Sequence, residues 1–259
     1  MKVQLDNQVA LVTGAAGAIG QAICASLAAN GAKVVFADIN LEGARQLAAA
    51  TPGAMALRMD VTDEKQIESA ISEIIATHGR LDILVNNAAI FVPGNLETVE
   101  ERHINLSLEV NVRSYILAMR YAVPELRKAG GGHIVNISSR GAFPLGPGPY
   151  TEDQQKRGGD IFYGGEKIGL EHFSQRMAAM YQAENIAVNV LSPDTGVRTP
   201  GNRMASNSRE NPDLNFETAD DMGQATVWIC EQPPLYTGNV LFDKIVLHAA
   251  GIPLKGPFR

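Results

Sequence analysis

Tyr163 and Lys167 are the two residues whose types and spacing most clearly suggest chemistry; they lie four positions apart in the segment YGGEK. On a helix, side chains at this spacing project from one face, so the phenol and the ammonium would be neighbours. A nearby cation stabilises a phenolate and lowers the pKa of a tyrosine from its usual value of about 10. The pair therefore predicts an acid/base group for a hydroxyl proton. Without further context, the same spacing is also typical of a solvated helix face.

Ser139 and Asn111 are two further polar residues in positions that could serve a reaction. Ser139 follows a predicted strand over 133–137, and ligands in open α/β sheets bind beyond the carboxyl ends of strands. Its hydroxyl could donate to a substrate oxygen as charge develops there, although a serine at a strand end is often part of a turn. Asn111 interrupts an apolar helix, and the alternative interpretation is an exposed or capping side chain.

A glycine-rich turn near the start of the chain, TGAAGAIG, predicts a phosphate-binding site. Gly14 allows a tight turn, Gly17 lets backbone N–H groups approach a pyrophosphate, and Gly20 allows close packing of helix on strand. The positive end of the following helix favours an anion. Asp38 ends the second predicted strand, where its carboxylate can accept hydrogen bonds from both hydroxyls of a ribose.

The charge at Asp38 also predicts which dinucleotide is bound. A carboxylate repels a 2′-phosphate, and neither Ala15 nor Ala16 offers a positive charge to hold one. We therefore expect NAD as the cofactor rather than NADP.

The elements that must position these residues alternate between apolar strands and amphipathic helices. We predict strands over 9–13, 33–37, 54–59, 81–85, 133–137, 187–191 and 239–247, and helices over 19–29, 41–50, 63–78, 99–128, 162–182 and 222–231. This order predicts an α/β fold, a single-domain doubly wound parallel sheet of the Rossmann type with helices on both faces, spanning residues 1–259. Segments at about 144–160 and about 193–216 have no clear period and are predicted to be loops.

Composition excludes several classes of protein. The 22 basic and 28 acidic residues sum to a net charge of −6, which argues against nucleic acid as a partner. No apolar run reaches the length of a bilayer span, so no membrane association is expected. Cys24 and Cys230 are too few for a disulfide framework, and neither they nor the five histidines show ligand spacing. We expect a cytoplasmic protein without a bound metal.

Four ordered motifs together resemble the classical short-chain dehydrogenase/reductase family: TGAAGAIG, the Asn86-Asn87-Ala88 segment, Ser139, and Tyr163 with Lys167. The resemblance covers nearly the whole chain and implies hydride transfer between NAD(H) and an alcohol or carbonyl substrate. It implies that Tyr163 moves the proton, Lys167 lowers the pKa of Tyr163 and holds the ribose, Ser139 binds the substrate oxygen, and Asn111 holds a water that completes a proton relay.

The same resemblance implies a set of cofactor-binding residues. They are Gly14, Gly17, Ile19, Gly20, Asp38, Asp60, Val61, Asn87, Ala88, Tyr163, Lys167, Pro193 and Thr199. For Asp60, a helix-entry role is the alternative interpretation. The family also implies pairing of the long helices between subunits, and hence a homodimer or homotetramer.

The chain departs from the family pattern in several places. Ser139 and Tyr163 are separated by more residues than is usual, which predicts an inserted loop at the mouth of the site. Gly164 and Gly165 stand before Lys167, which suggests a close approach of the backbone to a neighbour. The register of the segment 193–199 is shifted, and the usual Asp-Gly-Gly near the C-terminus is absent.

Two other functions remain open from the sequence. One is an NADP-dependent carbonyl reductase, which a comparison of the two coenzymes would distinguish. The other is a non-catalytic regulatory protein that binds a dinucleotide, since a fold does not determine a function.

Overall fold

The strands form because their apolar residues are buried on both faces, as in β1 (Val9–Thr13), whose five residues are all buried. The computed structural model describes residues 5–92, 96–157, 161–197 and 218–255. In these ranges the remaining elements are α1 (Ala18–Ala29), β2 (Lys33–Asp38), α2 (Leu41–Ala49), β3 (Met55–Arg58), α3 (Glu64–His78), β4 (Ile83–Asn86), α4 (Glu101–Leu108), a π-helical segment (Glu109–Arg113), α5 (Ser114–Lys128), β5 (Gly132–Ile137), a 3₁₀ turn (Arg140–Ala142), α6 (Glu152–Arg157), α7 (Ile161–Tyr181), a 3₁₀ turn (Gln182–Glu184), β6 (Ile186–Ser192), α8 (Asp220–Cys230), β7 (Val240–Phe242) and α9 (Asp243–Ala249).

The strands of the described chain form one parallel sheet in the order β3-β2-β1-β4-β5-β6-β7. The chain runs outward from β1 to β3 and then returns to place β4 on the other side of β1. The order therefore reverses between β1 and β4, and a crevice opens beyond the carboxyl ends of these two strands. This confirms the predicted Rossmann-type doubly wound sheet.

Two apolar clusters cover the two faces of the sheet. On one face, α1, α2, α8 and α9 contribute side chains such as Ile23, Leu27 and Ile229. On the other, α3, α5 and α7 contribute Ile67, Leu117 and Ala178 among others. Within the described ranges, no helix has the length and apolar character needed to cross a bilayer.

The last predicted strand, over 239–247, is wrong beyond Phe242. Only Val240–Phe242 pairs with β6, and the chain then turns into α9. The residues Ile245, Val246 and Leu247 favour a strand by type, but Asp243, Val246 and Leu247 are buried while Ile245 is exposed. This burial follows a helical period, because α9 packs one face against α8.

The segment 144–160 is not entirely a loop, because residues Glu152–Arg157 form α6. Thr151 lies just before this helix, and its backbone N–H donates to Oε1 of Gln154 while its Oγ accepts from the backbone N–H of Gln154. These reciprocal bonds between the first residue and the fourth are typical of a helix start.

Candidate active site

The glycine turn leads from β1 into α1 with a left-handed backbone that favours glycine. Gly14 has φ +62°, and a Cβ at this position would lie 2.8 Å from the Cα of Ala88. A Cβ on Gly20 would meet the carbonyl oxygen of Gly14, so α1 packs directly against the turn. The turn is thus open to a phosphate on one side and closely packed on the other.

Asn87 and Ala88, at the end of β4, are fastened to the end of β1. Oγ1 of Thr13 accepts hydrogen bonds from the backbone N–H of Asn87 at 2.9 Å and of Ala88 at 3.0 Å. Nδ2 of Asn87 in turn donates to the carbonyl oxygens of Thr13 and Gly14 at 2.9 and 3.0 Å. These four bonds join the two strands on either side of the crevice and hold the glycine turn in shape.

Asp38 lies at the carboxyl end of β2, facing the glycine turn. Oδ2 accepts from the backbone N–H of Ala16 at 2.9 Å, and Oδ1 accepts from that of Asn40 at 2.8 Å. A carboxylate has about four acceptor positions, so these two bonds fix its orientation while leaving capacity for ribose hydroxyls. No positively charged side chain lies among the described residues of the cleft wall except Lys167, at its far end.

Asp60 and Val61 follow β3 and line the same cleft. Oδ1 of Asp60 accepts from both the backbone N–H and the hydroxyl of Thr62, at 3.0 and 2.7 Å. The carboxylate of Asp60 therefore organises the turn into α3, and this favours the helix-entry interpretation of the side chain. Val61 presents an apolar surface to the cleft.

A single cleft of about 720 Å³ brings together the predicted cofactor residues that the structure describes. Its wall includes Gly14, Gly17, Ile19, Asp38, Asp60, Val61, Asn87, Ala88, Ser139, Tyr163, Lys167 and Pro193. Gly20 lies behind the wall, packed on the turn. Thr199 lies outside the described residues. The glycine cradle, the carboxylate at one end and the ammonium at the other fit the shape and polarity of an extended dinucleotide.

Lys167 is the central charged group of the site and is 1% exposed. Its Nζ donates to Oη of Tyr115 at 3.1 Å and to the carbonyl oxygen of Ile137 at 2.9 Å. Burial lowers the pKa of Lys167 to about 7, against the opposing influence of the carboxylates of Glu166 and Glu171. Burial therefore makes the charged form of Lys167 costlier than it would be at the surface.

Tyr163 is half-buried on α7, one turn before Lys167. The Nζ of Lys167 lies 5.5 Å from the centre of the Tyr163 ring. The ring also meets Phe91 edge to face, with centroids 5.9 Å apart. The predicted side-by-side placement of phenol and ammonium is present in the structure, and both groups line the cleft.

Ser139 and Ser138, at the end of β5, have different surroundings. Oγ of Ser139 accepts from the backbone N–H of Gly141 at 3.1 Å, and Ser139 lines the cleft. Oγ of Ser138 donates to Oε1 of Glu171 at 2.7 Å. Ser139 thus faces the cleft with a hydroxyl proton that is free among the described residues, whereas Ser138 helps to hold the carboxylate of Glu171.

Asn111 is fully buried in the π-helical segment between α4 and α5. Its Oδ1 accepts from the backbone N–H of Ile90 at 3.0 Å, and its Nδ2 donates to the Ile90 carbonyl at 2.9 Å. Nδ2 also donates to Ser107 at 3.2 Å and to Oε2 of Glu166 at 2.7 Å. The Asn111 side chain thus anchors the loop after β4 to α7; its role in a water relay stays a prediction.

Tyr115 and Glu166 are two buried polar residues of the site that sequence reasoning missed. Tyr115 lies in an apolar helix and resembles a core aromatic, but it stands four residues after Asn111. Glu166 is only 6% exposed and accepts from Asn111 and Ser107. The signal for Tyr115 was this spacing, which places the two side chains on one helix face.

The departures from the family pattern have structural reasons at two points. A Cβ on Gly164 would lie 2.6 Å from the carbonyl oxygen of Gly141, which confirms the predicted close approach, whereas nothing lies within 4 Å of a Cβ on Gly165. The backbone N–H of Asp194 donates to Oδ1 of Asp243 at 2.8 Å, so α9 fastens the segment after Pro193. Burial raises the pKa of Asp243 to about 6.

Metal-binding groups are absent from the portion of the chain that the structure describes. There, no cluster of three or more His, Cys, Asp or Glu side chains is arranged to hold a metal ion. Cys24 and Cys230 are both buried and free.

Comparison with known proteins gives consistent matches. The profile of the family described as short chain dehydrogenase matches residues 8–210. Hydroxysteroid dehydrogenase-like protein 2 from Homo sapiens is 32% identical over 263 residues, which cover 96% of this chain and 59% of that protein. D-threitol dehydrogenase from Mycolicibacterium smegmatis is 30% identical over 236 residues, covering 87% of this chain and 86% of that enzyme. The chain spans 47–59% of the length of the hydroxysteroid dehydrogenase-like protein 2 relatives.

Solved structures resemble this fold over nearly the whole chain. A 3-ketoacyl-(acyl-carrier-protein) reductase from Brucella melitensis, complexed with NADH, has a TM-score of 0.80 and 29% identity, covering 92% of this chain and 97% of that one. A short chain dehydrogenase from Burkholderia cenocepacia, in complex with NADP, has a TM-score of 0.78 and 29% identity, covering 93% and 97%. The family profile, the matching sheet and the site assembled at its carboxyl edge together show that this chain belongs to the short-chain dehydrogenase family.

Proposed function

We propose that this chain is an NAD-dependent oxidoreductase that interconverts an alcohol and its carbonyl compound. The observation that carries the proposal is the position of Tyr163 and Lys167 in one cleft with the glycine turn and Asp38. When bound, a nicotinamide coenzyme supplies hydride transfer at the carbinol carbon.

Tyr163 is the group that exchanges the hydroxyl proton with the substrate. The ammonium of Lys167, 5.5 Å from the ring centre, favours the phenolate that accepts this proton during oxidation. In reduction the same phenol donates its proton to the oxygen that becomes the alcohol. Because Lys167 is buried, its charge acts through a medium of low polarity and is felt more strongly than at the surface.

Ser139 orients the substrate oxygen in this proposal. Its Oγ accepts a hydrogen bond from the backbone N–H of Gly141, so the hydroxyl proton is left to be directed into the cleft. There it can donate to an oxygen on which negative charge develops. Phe91, which meets the Tyr163 ring edge to face, and the side chains of Leu106 and Val110 supply apolar wall to the cleft. We therefore infer a small alcohol or ketone with an apolar substituent.

Asp38 favours NAD over NADP. Its carboxylate faces the place where an adenosine ribose would lie, and a 2′-phosphate there would meet a negative charge. The NADP-dependent reductase is the second candidate, and comparison of turnover with the two coenzymes separates them. We expect kcat/KM with NAD to exceed that with NADP by at least about tenfold.

The decisive experiment compares the wild-type chain with Tyr163→Phe. Absorbance of the reduced coenzyme measures NADH formation with NAD and a panel of alcohols. It also measures NADH consumption with a panel of ketones. We expect turnover in the wild type, none with Tyr163→Phe, and similar NADH affinity for both proteins by fluorescence. NADH binding without turnover in the wild type would support the non-catalytic regulatory protein, and turnover by the variant would refute the role of Tyr163.

The outer faces of α5 and α7 support a homodimer or homotetramer. Exposed apolar side chains on them include Ile116, Ile168, Phe173 and Met180. We expect association through these helices, weakened by Phe173→Glu, and sedimentation velocity would measure it. The two buried, free cysteines suit a reducing, cytoplasmic setting.

A further inference from the structure

Tyr115 is a second phenol in direct contact with Lys167, and its role is separate from that of Tyr163. It lies on α5 and is 1% exposed. Its Oη accepts from Nζ of Lys167 at 3.1 Å and donates to the carbonyl oxygen of Ile137 at 3.3 Å. Because Lys167 also donates to that carbonyl at 2.9 Å, the three groups form a closed triangle beneath the catalytic tyrosine.

The rings of Tyr115 and Tyr163 both lie beside the ammonium of Lys167. Nζ is 4.7 Å from the centre of the Tyr115 ring and 5.5 Å from that of Tyr163. A cation near an aromatic ring is attracted by the ring, more strongly where water is excluded. The Lys167 side chain is thus held in one place by contacts to α5, to β5 and to its own helix.

A phenol differs from the usual partner of a buried ammonium, which is a carboxylate. Two carboxylates are available on α7, but their hydrogen bonds are made elsewhere. Oε2 of Glu166 accepts from Asn111 and Ser107, and Oε1 of Glu171 accepts from Ser138. A carboxylate bound directly to Nζ would cancel much of the positive charge that Tyr163 needs, whereas a neutral phenol supports the charge and leaves it in place.

Tyr115 remains a neutral phenol over the working range. Burial, followed by the negative charge of Tyr163, raises the pKa of Tyr115 well above its ordinary value. The groups that face Lys167 are then Tyr115 from α5, Tyr163 and the two carboxylates from α7, and the Ile137 carbonyl from β5. Of these, Tyr115 is the neutral side chain that accepts directly from Nζ.

We propose that Tyr115 is a positioning residue that keeps the ammonium of Lys167 charged and directed at Tyr163. The inference rests on the proposed function of Tyr163 as the acid/base group, but its geometry concerns Lys167 alone. Among the described residues, Nζ of Lys167 donates to the Tyr115 hydroxyl and to the Ile137 carbonyl. Removal of the Tyr115 hydroxyl takes away one of these acceptors from a buried cation, and water cannot readily replace it. The proton of Lys167 is then lost at a lower pH, and the phenolate of Tyr163 loses its stabilising charge.

The test compares Tyr115→Phe with Tyr121→Phe, a matched change one and a half turns further along α5. Oη of Tyr121 bonds Glu64 at the surface, away from the cleft. We expect the alkaline limb of the kcat/KM profile for alcohol oxidation to move to lower pH by about one unit in Tyr115→Phe. At pH values above this limb, we expect kcat of Tyr115→Phe to be about tenfold lower than that of the wild type, while KM for NAD changes little. Tyr121→Phe should match the wild type, and coincident limbs in all three proteins would overturn the proposal.

A second readout works without turnover, so failure of the proposed function and failure of this inference can be distinguished. Tyrosinate formation is followed by ultraviolet difference absorbance, with Tyr163→Phe identifying the signal of residue 163. We expect this signal at higher pH in Tyr115→Phe than in Tyr121→Phe. An unchanged signal would show that Tyr115 does not act on Tyr163, whatever the enzyme catalyses.

A double variant addresses the route of the effect. Combining Tyr115→Phe with Lys167→Met removes both polar partners of the hydrogen bond. The fold tolerates this better than the loss of one partner, because neither side chain is left as a buried polar group without its bond. If Tyr115 acts through Lys167, the tyrosinate signal of the double variant matches that of Lys167→Met alone. An additional shift in the double variant would mean that Tyr115 acts on Tyr163 directly, contrary to the proposal.

Discussion

Oε2 of Glu166 accepts a 2.7 Å hydrogen bond from Nδ2 of Asn111, joining α7, the helix of Tyr163 and Lys167, to the π-helical segment. Oγ of Ser107 donates to the same carboxylate oxygen at 3.0 Å. Because Asn111 also holds both backbone groups of Ile90, this bond connects α7 to the loop that follows β4. One buried carboxylate therefore sets the spacing between two walls of the cleft.

Loss of that carboxylate should destabilise the fold. Glu166→Ala removes the carboxylate to which the Ser107 hydroxyl and one N–H of the Asn111 amide donate, at a cost of about 1–3 kcal/mol. Urea unfolding followed by circular dichroism measures the change. Glu73→Ala removes a carboxylate from an exposed position on α3 and serves as the control. Equal unfolding midpoints for both variants would contradict the structural role of Glu166.

Gly14 should tolerate no side chain. Gly14→Ala places a Cβ 2.8 Å from the Cα of Ala88 at a φ of +62°, which combines backbone strain with a clash. We expect a loss of about 3 kcal/mol in the free energy of unfolding, together with at least about tenfold weaker NADH binding.

Gly53→Ala is the matched control for Gly14. Gly53 has φ +73° and nothing lies within 4 Å of a Cβ there, so only the backbone strain of about 1–2 kcal/mol applies. NADH titration by fluorescence should show unchanged affinity in this variant. A comparable loss of NADH affinity in Gly14→Ala and Gly53→Ala would mean that backbone strain, and not the clash at the glycine turn, explains the weaker binding of Gly14→Ala.

Asp38 should determine the choice of coenzyme. Asp38→Asn keeps the size of the side chain but removes the charge that repels a 2′-phosphate, so the ratio of NADPH to NADH affinity should rise by about tenfold. Asp63→Asn changes the same residue type at the start of α3, where Asp63 caps the helix, and should leave the ratio unchanged. Isothermal titration with the two reduced coenzymes gives the ratio, and a ratio insensitive to Asp38→Asn would assign coenzyme choice to other residues.

His133 should make the protein sensitive to acid. It is buried at the start of β5, Nδ1 finds no hydrogen-bond partner among the described residues, and burial lowers the pKa of His133 to about 4. The unfolded chain binds this proton near the ordinary value of about 6.5, so it holds more protons than the folded chain between these values. The contribution of His133 to the free energy of unfolding is therefore fully present above pH 6.5. It falls by about 3 kcal/mol as the pH is lowered to about 4.

The difference between wild type and His133→Leu isolates that contribution. Urea unfolding at several pH values should show a steeper loss in acid for the wild type than for the variant. Asp243, whose raised pKa acts in the opposite sense, is present in both proteins and cancels. His172→Leu, at an exposed position on α7, is the control and should reproduce the wild-type slope. Parallel curves for His133→Leu and the wild type would rule out the buried imidazole as the cause.

Much of the fold could be read from local patterns in the sequence. A continuous apolar run indicated β1, β-branched apolar residues on either side of Asn189 indicated β6, and the glycine turn indicated the passage into α1, because these features depend on neighbours along the chain. The same holds for the Tyr163 and Lys167 pair, since the spacing on a helix is a local property. The wrong strand prediction at 243–247 shows where local patterns fail. The residue types there favour a strand, but the segment is helical because one of its faces is buried against α8.

The sequence by itself determined the order of the elements, the glycine turn and the placement of Tyr163 and Lys167 on one helix. Only the tertiary structure decided that Tyr115 and Glu166 belong to the site, because the surroundings of a side chain depend on segments far away in the sequence. Tyr115 lies 52 residues from its lysine partner, and Glu166 lies 55 from Asn111. Packing of α5, β5 and α7 buries these groups together, and burial and a few hydrogen bonds then set their charge.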